Sequence, residues 1–431
     1  MILSDRNMGE IAVAVSSLDN LFRAWRDVRS HVSQTSWQHI TSEMNEIDAS
    51  PLSSLHDIQA ALQNSTYRFS KKHGYTKRKS GGSRRGITIH SVRDRIVQRA
   101  ILNVLYSSDA GLKRHLGSIP AVINRPTSFA GVPGRGVPQA IACIDQVMRE
   151  GVRAYVYSDM KDFFPRIPRN DVVDFIRSNV NDDQFTNLFR QALETELSNA
   201  EDLSEMLDLF PGQEVGVAQG SLLSVLAGNI AMRRFDEILN TTKIATIRYL
   251  DDFIILAADV PSVENAFSEA RAELARLGMD CYLPHDGSQK AFMGLIADGF
   301  DFLGCRIHPD GVSPSSKTRS KLLRDIKSIM AEAKREIRAF KRDHARRRRT
   351  EQTYIQALGL IDRKIRGWGD AYQFVSNRVA FSQMDETIDR MLSDFRLWFA
   401  HQTKDADLRV RRRMSGLALL ADTPPQALRK L

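Results

Sequence analysis

Two groups of acidic residues in this chain sit where apolar, strand-like runs end. One is Tyr157-Ser158-Asp159-Met160-Lys161-Asp162-Phe163-Phe164. The other is Arg248-Tyr249-Leu250-Asp251-Asp252-Phe253, where two acids interrupt apolar runs. Adjacent carboxylates on a hydrophobic hairpin are costly, because like charges repel and the flanking chain is buried. A bare Asp-Asp pair is ordinarily a turn or a cap. The tyrosine before this one, the apolar strands on both sides and the distant strand-end Asp159 point instead to a divalent cation that relieves the repulsion. Mg2+ takes a few carboxylates together with substrate phosphate oxygens. Two such ions about 3.5–4 Å apart serve an in-line displacement, one activating an attacking hydroxyl and the other steadying the leaving group.

Bringing Asp159 to Asp251 and Asp252 requires strands that run side by side. Ala154 to Ser158 reads as one strand, and Ala245 to Leu256 as a hairpin with its carboxylates at the turn. Much of the remaining pattern is helical. Residues 1–66 show apolar spacing at Leu18, Leu21, Phe22, Trp25 and Val28, then at Leu55, Ile58 and Leu62. Lys77 to Arg85, containing Ser80-Gly81-Gly82-Ser83, reads as a flexible basic loop. Ile87 and Ile89 alternate as a short strand, and Arg95 to Tyr106 has helical spacing. Pro126 to Pro138 is loop-rich, and Asn170 is the expected N-cap of a helix carrying Val172, Val173 and Ile176. In the last third, Leu322 to Phe340, Leu358 to Tyr372 and Ile388 to Trp398 repeat at three and four residues, which predicts a separate all-helical unit.

The 431 residues carry 61 Lys and Arg against 52 Asp and Glu, a net charge of +9 that makes a polyanionic partner expected. The excess is segregated. Arg68 to Arg99 holds eleven basic residues against Asp94, and Lys334 to Arg349 nine against two, ending in Arg346-Arg347-Arg348-Arg349. Arg409 and Arg411 to Arg413 add a basic knot. Asn181 to Glu214 holds nine acids against Arg190 and is expected to face solvent or a partner rather than nucleic acid. Basic blocks that neutralise phosphates give binding that weakens steeply with salt. Cys143, Cys281 and Cys305 lie far apart and read as buried thiols in a reducing compartment. Asp5, Arg6 and Glu10 interrupt any signal-peptide core, and no uninterrupted apolar stretch approaches a membrane span, so a cytoplasmic protein is expected.

Further blocks accompany Tyr249-Leu250-Asp251-Asp252 in a fixed order. Arg85-Gly86-Ile87-Thr88-Ile89 is followed by Arg93-Asp94-Arg95-Ile96-Val97-Gln98, then by Ser128-Phe129-Ala130-Gly131 through Gly134-Arg135, Ala140 and Ile141. Asp159 to Ile167 comes next, then Gly216-Val217-Ala218-Gln219-Gly220-Ser221 with Ser224 and Asn229. Leu277-Gly278 with Lys290, Phe302-Leu303-Gly304 and Ile365-Arg366-Gly367-Trp368 complete the series. Over residues 68–375 this order resembles the reverse transcriptases of the bacterial, group II intron-like lineage.

That resemblance implies an α+β right-hand polymerase. Residues 1–66 would be a helical extension gripping template RNA or a partner, 67–313 the fingers and palm with an antiparallel sheet, and 314–431 an α-helical thumb with a basic tail. The implied reaction is RNA-directed addition of deoxynucleotides to a primer, releasing pyrophosphate and building cDNA. Asp159, Asp251 and Asp252 would be catalytic and bind two Mg2+ ions, with Mn2+ able to substitute and the Met160 carbonyl an extra ligand. Phe164 would be a steric gate whose ring clashes with a ribose 2′-hydroxyl, Phe163 being the alternative core phenylalanine. Arg85 would reach the triphosphate, since a guanidinium matches phosphate oxygens with paired bonds. Gln219 and Gly220 would line the nucleotide pocket, and Lys290 would protonate pyrophosphate. Lys77, Lys79, Arg95, Gly304, Arg366 and Trp368 would contact template and primer.

Departures narrow the subfamily. Gly86 and His90 stand where the fingers motif usually carries proline, and Gln219-Gly220 is not the Ser-Gln of diversity-generating enzymes. The Asn-Ala-x-x-His and Val-Thr-Gly elements of retron enzymes are missing. With no endonuclease-like tail or room for an RNase H domain after the thumb, the chain resembles the stand-alone reverse transcriptases of bacterial anti-phage defence. These imply a structured non-coding RNA as template. Two other readings of the same residues are untemplated, protein-primed or repetitive DNA synthesis, and a non-catalytic RNA-binding scaffold.

Overall fold

The computed structural model describes residues 9–32, 37–78, 82, 84–212, 214–285, 290–342 and 353–420. Lys79, most of the Ser80 to Ser83 stretch and Arg346 to Arg349 lie outside the described residues. The chain divides into two compact units, Met1–Leu295 and Ile296–Leu431.

The first unit begins with helices α1 (Glu10–Ser16), α2 (Leu18–Val32), α3 (Gln38–Ala49) and α4 (Pro51–Gln63). Their spacing buries Leu21, Ala24, Val28, Leu55 and Ile58, and these side chains share one core with α5 (Val92–Leu105) and the residues under the sheet. Asn20 pins α2 to α5: its Nδ2 donates to the Ala100 carbonyl at 3.0 Å, and its Oδ1 accepts from Asn103 at 3.0 Å. Helix α5 starts three residues ahead of Arg95, because Ser91 Oγ accepts from the Asp94 N–H and closes the first turn.

Between α4 and α5, strands β1 (His73–Arg78) and β2 (Arg84–Ile89) form an antiparallel hairpin in which Lys77 faces Arg85. The basic residues expected to be loop are therefore largely ladder, since backbone pairing places no demand on side-chain polarity. A four-stranded antiparallel sheet follows, with order β4-β5-β3-β6, from β3 (Ala154–Asp159), β4 (Ile244–Tyr249), β5 (Asp252–Ala257) and β6 (Ala291–Leu295). The helix Val260–Arg276 packs on β3 and β5. The helix Arg169–Asn179 takes in Asn170 rather than being capped by it. The Pro168 carbonyl accepts from the Val172 N–H at 3.2 Å, which closes the first turn two residues earlier.

The second unit pairs a three-stranded antiparallel meander with helices. The strands are β7 (Phe300–Phe302), β8 (Cys305–His308) and β9 (Gly311–Pro314). Helices Ser316–Arg342, Tyr354–Ala371 and Val379–Thr403 close over Leu322, Ile326, Ile361, Met384, Ile388 and Phe395. The basic knot at Arg409 and Arg411 to Arg413 lies on a further short helix, Leu408–Ser415, capped by Asp407.

All three cysteines are free thiols; Cys281 and Cys305 are buried, whereas Cys143 is only half-buried. Among the described residues no helix is long and apolar enough to cross a membrane.

Candidate active site

The sheet register sets Asp159, the last residue of β3, directly across from Asp252, the first of β5. The turn between β4 and β5 is carried by Leu250, whose φ of 60° is a left-handed conformation unusual for a branched side chain. Backbone bonds strap this turn to the end of β3. The Met160 N–H donates to the Asp251 carbonyl at 2.9 Å, while the Asp159 N–H and carbonyl bond Lys290 and Tyr282, each at 3.1 Å.

Beneath the turn lies a buried polar network that sequence reasoning missed. Arg248, wholly buried on β4, donates from Nε and Nη2 to both Asp236 oxygens at 2.7 and 2.6 Å. Its Nη2 also donates to Ser128 Oγ at 2.9 Å, and its Nη1 to the Leu250 carbonyl at 3.2 Å. Ser128 Oγ reaches Asn229 Oδ1 at 3.4 Å, and Asn229 Nδ2 donates to the Ala130 carbonyl at 3.1 Å. Ser128 and Asn229, singled out only as motif members, thus hold the hairpin that carries the acids. An arginine between Ile247 and Tyr249 in an apolar strand was the available signal, because a buried guanidinium demands a partner.

The acids sit in a crowded field. Burial, then the neighbouring carboxylates Asp252 and Asp159, push the Asp251 carboxyl up to about 6. Tyr157 Oη donates to Asp252 Oδ1 at 2.5 Å; burial, then Asp252, holds this phenol far above its ordinary pKa, so it remains a donor. Lys290 Nζ forms an ion pair with Asp159. Burial works against that ammonium, and the Asp159 contact outweighs it, leaving the pKa raised. The three acids are not gathered around one point: among the described residues no three His, Cys, Asp or Glu side chains form a ligand group. The donor set nonetheless fits a divalent cation, since it offers only hard carboxylate oxygens, and their repulsion adds to burial in raising Asp251.

A cavity of about 840 Å3 opens here, and its walls include Asp159, Met160, Asp251, Arg85, Phe164, Gln219 and Lys290. Asp252 stands beside it through its register with Asp159. Arg85 is half-buried with its Nε unpartnered. Phe163 is the core phenylalanine, 3 % exposed and filling the space where Gly228 lacks a side chain; Phe164 is half-buried. The Gln219 carbonyl accepts from the Thr88 N–H at 2.9 Å. Gly220 is not among the residues lining the cavity. With φ of 125°, it lies where a Cβ would come within 2.3 Å of the Thr88 carbonyl, so its bare backbone admits β2 rather than a ligand.

The acidic stretch, expected to face solvent or a partner rather than nucleic acid, also reaches the cavity. The 3-10 segment Glu201–Leu209 packs on the hairpin and places Asp208 and Leu209 in the cavity wall. A Cβ on Gly86 would come within 2.6 Å of the Leu209 carbonyl, which accounts for glycine at that position.

The remaining candidates lie elsewhere. Lys77 is exposed on β1, and Arg95 is half-buried on α5 with its Nε donating to the His90 carbonyl at 3.0 Å. Gly304, Arg366 and Trp368 belong to the second unit. Gly304 forms the β7–β8 turn with φ of 80°, close to Tyr372 Oη. Arg366 is exposed and pairs with Asp362 at 2.9 Å, whereas Trp368 packs its ring on Tyr372 and Phe381.

Parts of the chain are similar to known proteins. A 200-residue stretch is 26 % identical to the "Uncharacterized 91 kDa protein in cob intron" of Schizosaccharomyces pombe, covering 46 % of this chain and 22 % of that protein. A 276-residue stretch is 24 % identical to "Protein YkfC" of Escherichia coli, covering 53 % and 64 %. The chain thus spans less than two thirds of either relative. Among solved structures, the "Partial Cas6-RT-Cas1--Cas2 complex" aligns at 18 % identity over 62 % of this chain and 42 % of that one, with a TM-score of 0.33. Apo telomerase from Candida tropicalis, truncated from its C-terminal domain, aligns at 15 % over 57 % and 55 %, with a TM-score of 0.36. The family described as "Reverse transcriptase (RNA-dependent DNA polymerase)" matches residues 71–307, more than half of the chain and the whole of the cavity described above. With its helices and antiparallel sheets of the α+β right-hand polymerase class, the chain belongs to the reverse transcriptase family.

Proposed function

We propose that the protein is an RNA-directed DNA polymerase that extends a primer 3′-hydroxyl with deoxynucleoside triphosphates along an RNA template. The observation that carries this reading is the meeting of Asp159 and Asp251 with Arg85, Phe164 and Lys290 around one cavity, with Asp252 across from Asp159. Asp159, Asp251 and Asp252, with the Met160 carbonyl, would hold two Mg2+ ions, or Mn2+ in their place. When bound, these ions supply activation of the attacking hydroxyl and neutralisation of the leaving pyrophosphate.

The chain's own groups do the rest. Arg85 offers its guanidinium to the triphosphate, and the Phe164 ring excludes the 2′-hydroxyl of a ribonucleotide. Lys290, protonated at neutral pH, holds a proton at Nζ beside Asp159 for the leaving pyrophosphate. Gln219 borders the base. The basic β1–β2 hairpin, with Lys77, contacts template and primer together with Gly304 and the thumb residues Arg366 and Trp368.

The motif departures noted above support anti-phage defence in the bacterial cytoplasm, with an associated structured non-coding RNA as template and its cDNA as product. The test is sequencing of RNA and DNA that co-purify with the wild type and with an Asp251→Ala, Asp252→Ala double variant, with and without phage. A defined cDNA found only in the wild type and complementary to one bound RNA is expected. DNA of simple or random sequence would instead establish untemplated synthesis, and identical profiles would leave an RNA-binding scaffold.

A further inference from the structure

His90 follows β2 directly and is buried, 1 % exposed, yet the mechanism above gives it no part. Its two ring nitrogens face different elements. Nε2 lies 3.3 Å from Thr88 Oγ1 on β2, and Nδ1 lies 3.1 Å from Gln98 Nε2 on α5. Each of these neighbours holds one end of the loop over residues 219–222. The Thr88 N–H donates to the Gln219 carbonyl at 2.9 Å, and Gln98 Oε1 accepts from the Leu222 N–H at 3.3 Å. The bonds close a ring from Gln219 through Thr88, His90 and Gln98 to Leu222.

The direction of every link follows from one end. A backbone N–H can only donate, so Leu222 fixes the Gln98 amide with its oxygen toward the loop. Gln98 Nε2 then donates to His90 Nδ1. A histidine that accepts at Nδ1 is neutral and carries its proton on Nε2, which donates to Thr88 Oγ1. The Thr88 hydroxyl proton is left for the Gln219 carbonyl, 3.5 Å away. The surroundings favour this neutral ring: burial, then Lys72 and Arg95, push the His90 pKa down to about 3. A protonated ring would meet the Gln98 amide donor to donor.

The clamped loop belongs to the catalytic cavity. Gln219 lines that cavity together with Arg85, which precedes Thr88 on the same strand. Gly220, pressed against the Thr88 carbonyl, has no side chain with which to hold the loop itself. We propose that His90 is a positioning residue for the incoming deoxynucleotide, clamping both ends of the 219–222 loop so that Gln219 is held in register with Arg85. The proposal rests on the polymerase reading and assigns to that site a residue outside the cavity wall.

His90→Phe keeps a planar ring and removes both bonds, whereas Thr88→Val removes only the hydroxyl and keeps the backbone bond to Gln219. Single-turnover primer extension separates nucleotide affinity from the rate of addition. Each variant is expected to weaken deoxynucleotide affinity about tenfold, the size of one lost buried hydrogen bond, with the maximal rate nearly unchanged. The double variant should lose no more than the weaker single variant, because both substitutions break the same ring. A merely structural role would lower the active fraction and leave the affinity of the remaining molecules as it was.

Amide hydrogen exchange without nucleotide or metal tests the clamp independently of synthesis. The peptide carrying residues 219–222 is expected to exchange faster in His90→Phe, while α5 keeps its protection. Unaltered affinity or unaltered exchange in a folded His90→Phe protein would overturn the proposal, as would additive losses in the double variant. Should His90→Phe fail to fold, Thr88→Val carries both measurements. A wild type that extends no primer would defeat the polymerase reading, and the exchange experiment would still decide the clamp.

Discussion

Tyr157 Oη and Asp252 Oδ1 are 2.5 Å apart, a charge-assisted hydrogen bond between neighbouring strands beside the cavity that Asp159 and Asp251 line. The phenol is two residues from Asp159 on the same face of β3, and its ring packs on Phe292 with centroids 4.7 Å apart. The bond fixes one of the three acids while leaving its second oxygen to other partners.

Tyr157→Phe keeps the ring and removes only this bond. It is expected to leave the melting temperature nearly unchanged and to raise the Mg2+ concentration needed for half-maximal DNA synthesis about tenfold, as for other residues that orient metal ligands. A Mg2+ titration of primer extension checks it; an unshifted midpoint would mean Asp252 is positioned by the backbone alone.

Arg248 tests the network beneath the turn. Arg248→Met strands Asp236 in the core and should destabilise the fold by about 3–5 kcal/mol. Arg248→Met combined with Asp236→Leu removes both charges and should recover much of the stability, measured by thermal denaturation. Activity should stay low, because the bond to the Leu250 carbonyl is still missing. A fully active double variant would show that the Leu250 contact does not set the turn.

Asp251 links the site to pH. Its folded pKa of about 6 lies above the ordinary 3.8, so the folded chain binds this proton more tightly than the unfolded chain. The resulting stabilisation is complete below the ordinary value and is lost as pH rises through about 6. Asp251→Asn, uncharged throughout, is expected to melt a few degrees above wild type at neutral pH, with the gap closing on acidification. DNA synthesis should fall by several orders of magnitude. A melting-temperature series across pH in the absence of divalent ions measures the first effect, and primer extension the second.

Phe164 sets sugar selectivity under the proposed mechanism. Phe164→Val should raise ribonucleotide incorporation relative to deoxynucleotide by about tenfold or more, with little change in stability since the ring is only half-buried. Competition between the two nucleotide types in a single-turnover assay reads the ratio directly.

Several features were legible without coordinates because they are local. The two apolar runs on either side of Asp251 and Asp252 specify a hairpin, and the strand read from Ala154 to Ser158 extends one residue further, to Asp159. The helical spacing of residues 1–66 and of the last third is equally local. The order of the motifs was sufficient to propose roles for Arg85, Phe164, Gln219 and Lys290. Less legible were elements whose limits depend on backbone bonds. Lys77 and Arg85 looked like loop and are ladder partners, and Asn170 looked like a cap and lies inside its helix.

What the amino-acid sequence determined by itself is the chemistry available: acids at strand ends, cations near them and the helices that carry the rest. Only the tertiary structure decided how these are held. Arg248 meets Asp236, Ser128 and the Leu250 carbonyl; Gly220 meets Thr88; Gly86 meets Leu209; and the acidic stretch contributes Asp208 to the cavity. Most of these pairs are far apart in the chain. Local periodicity reports which face of an element is apolar, whereas partner choice for a buried charge or a bare glycine backbone depends on which distant segment packing brings against it.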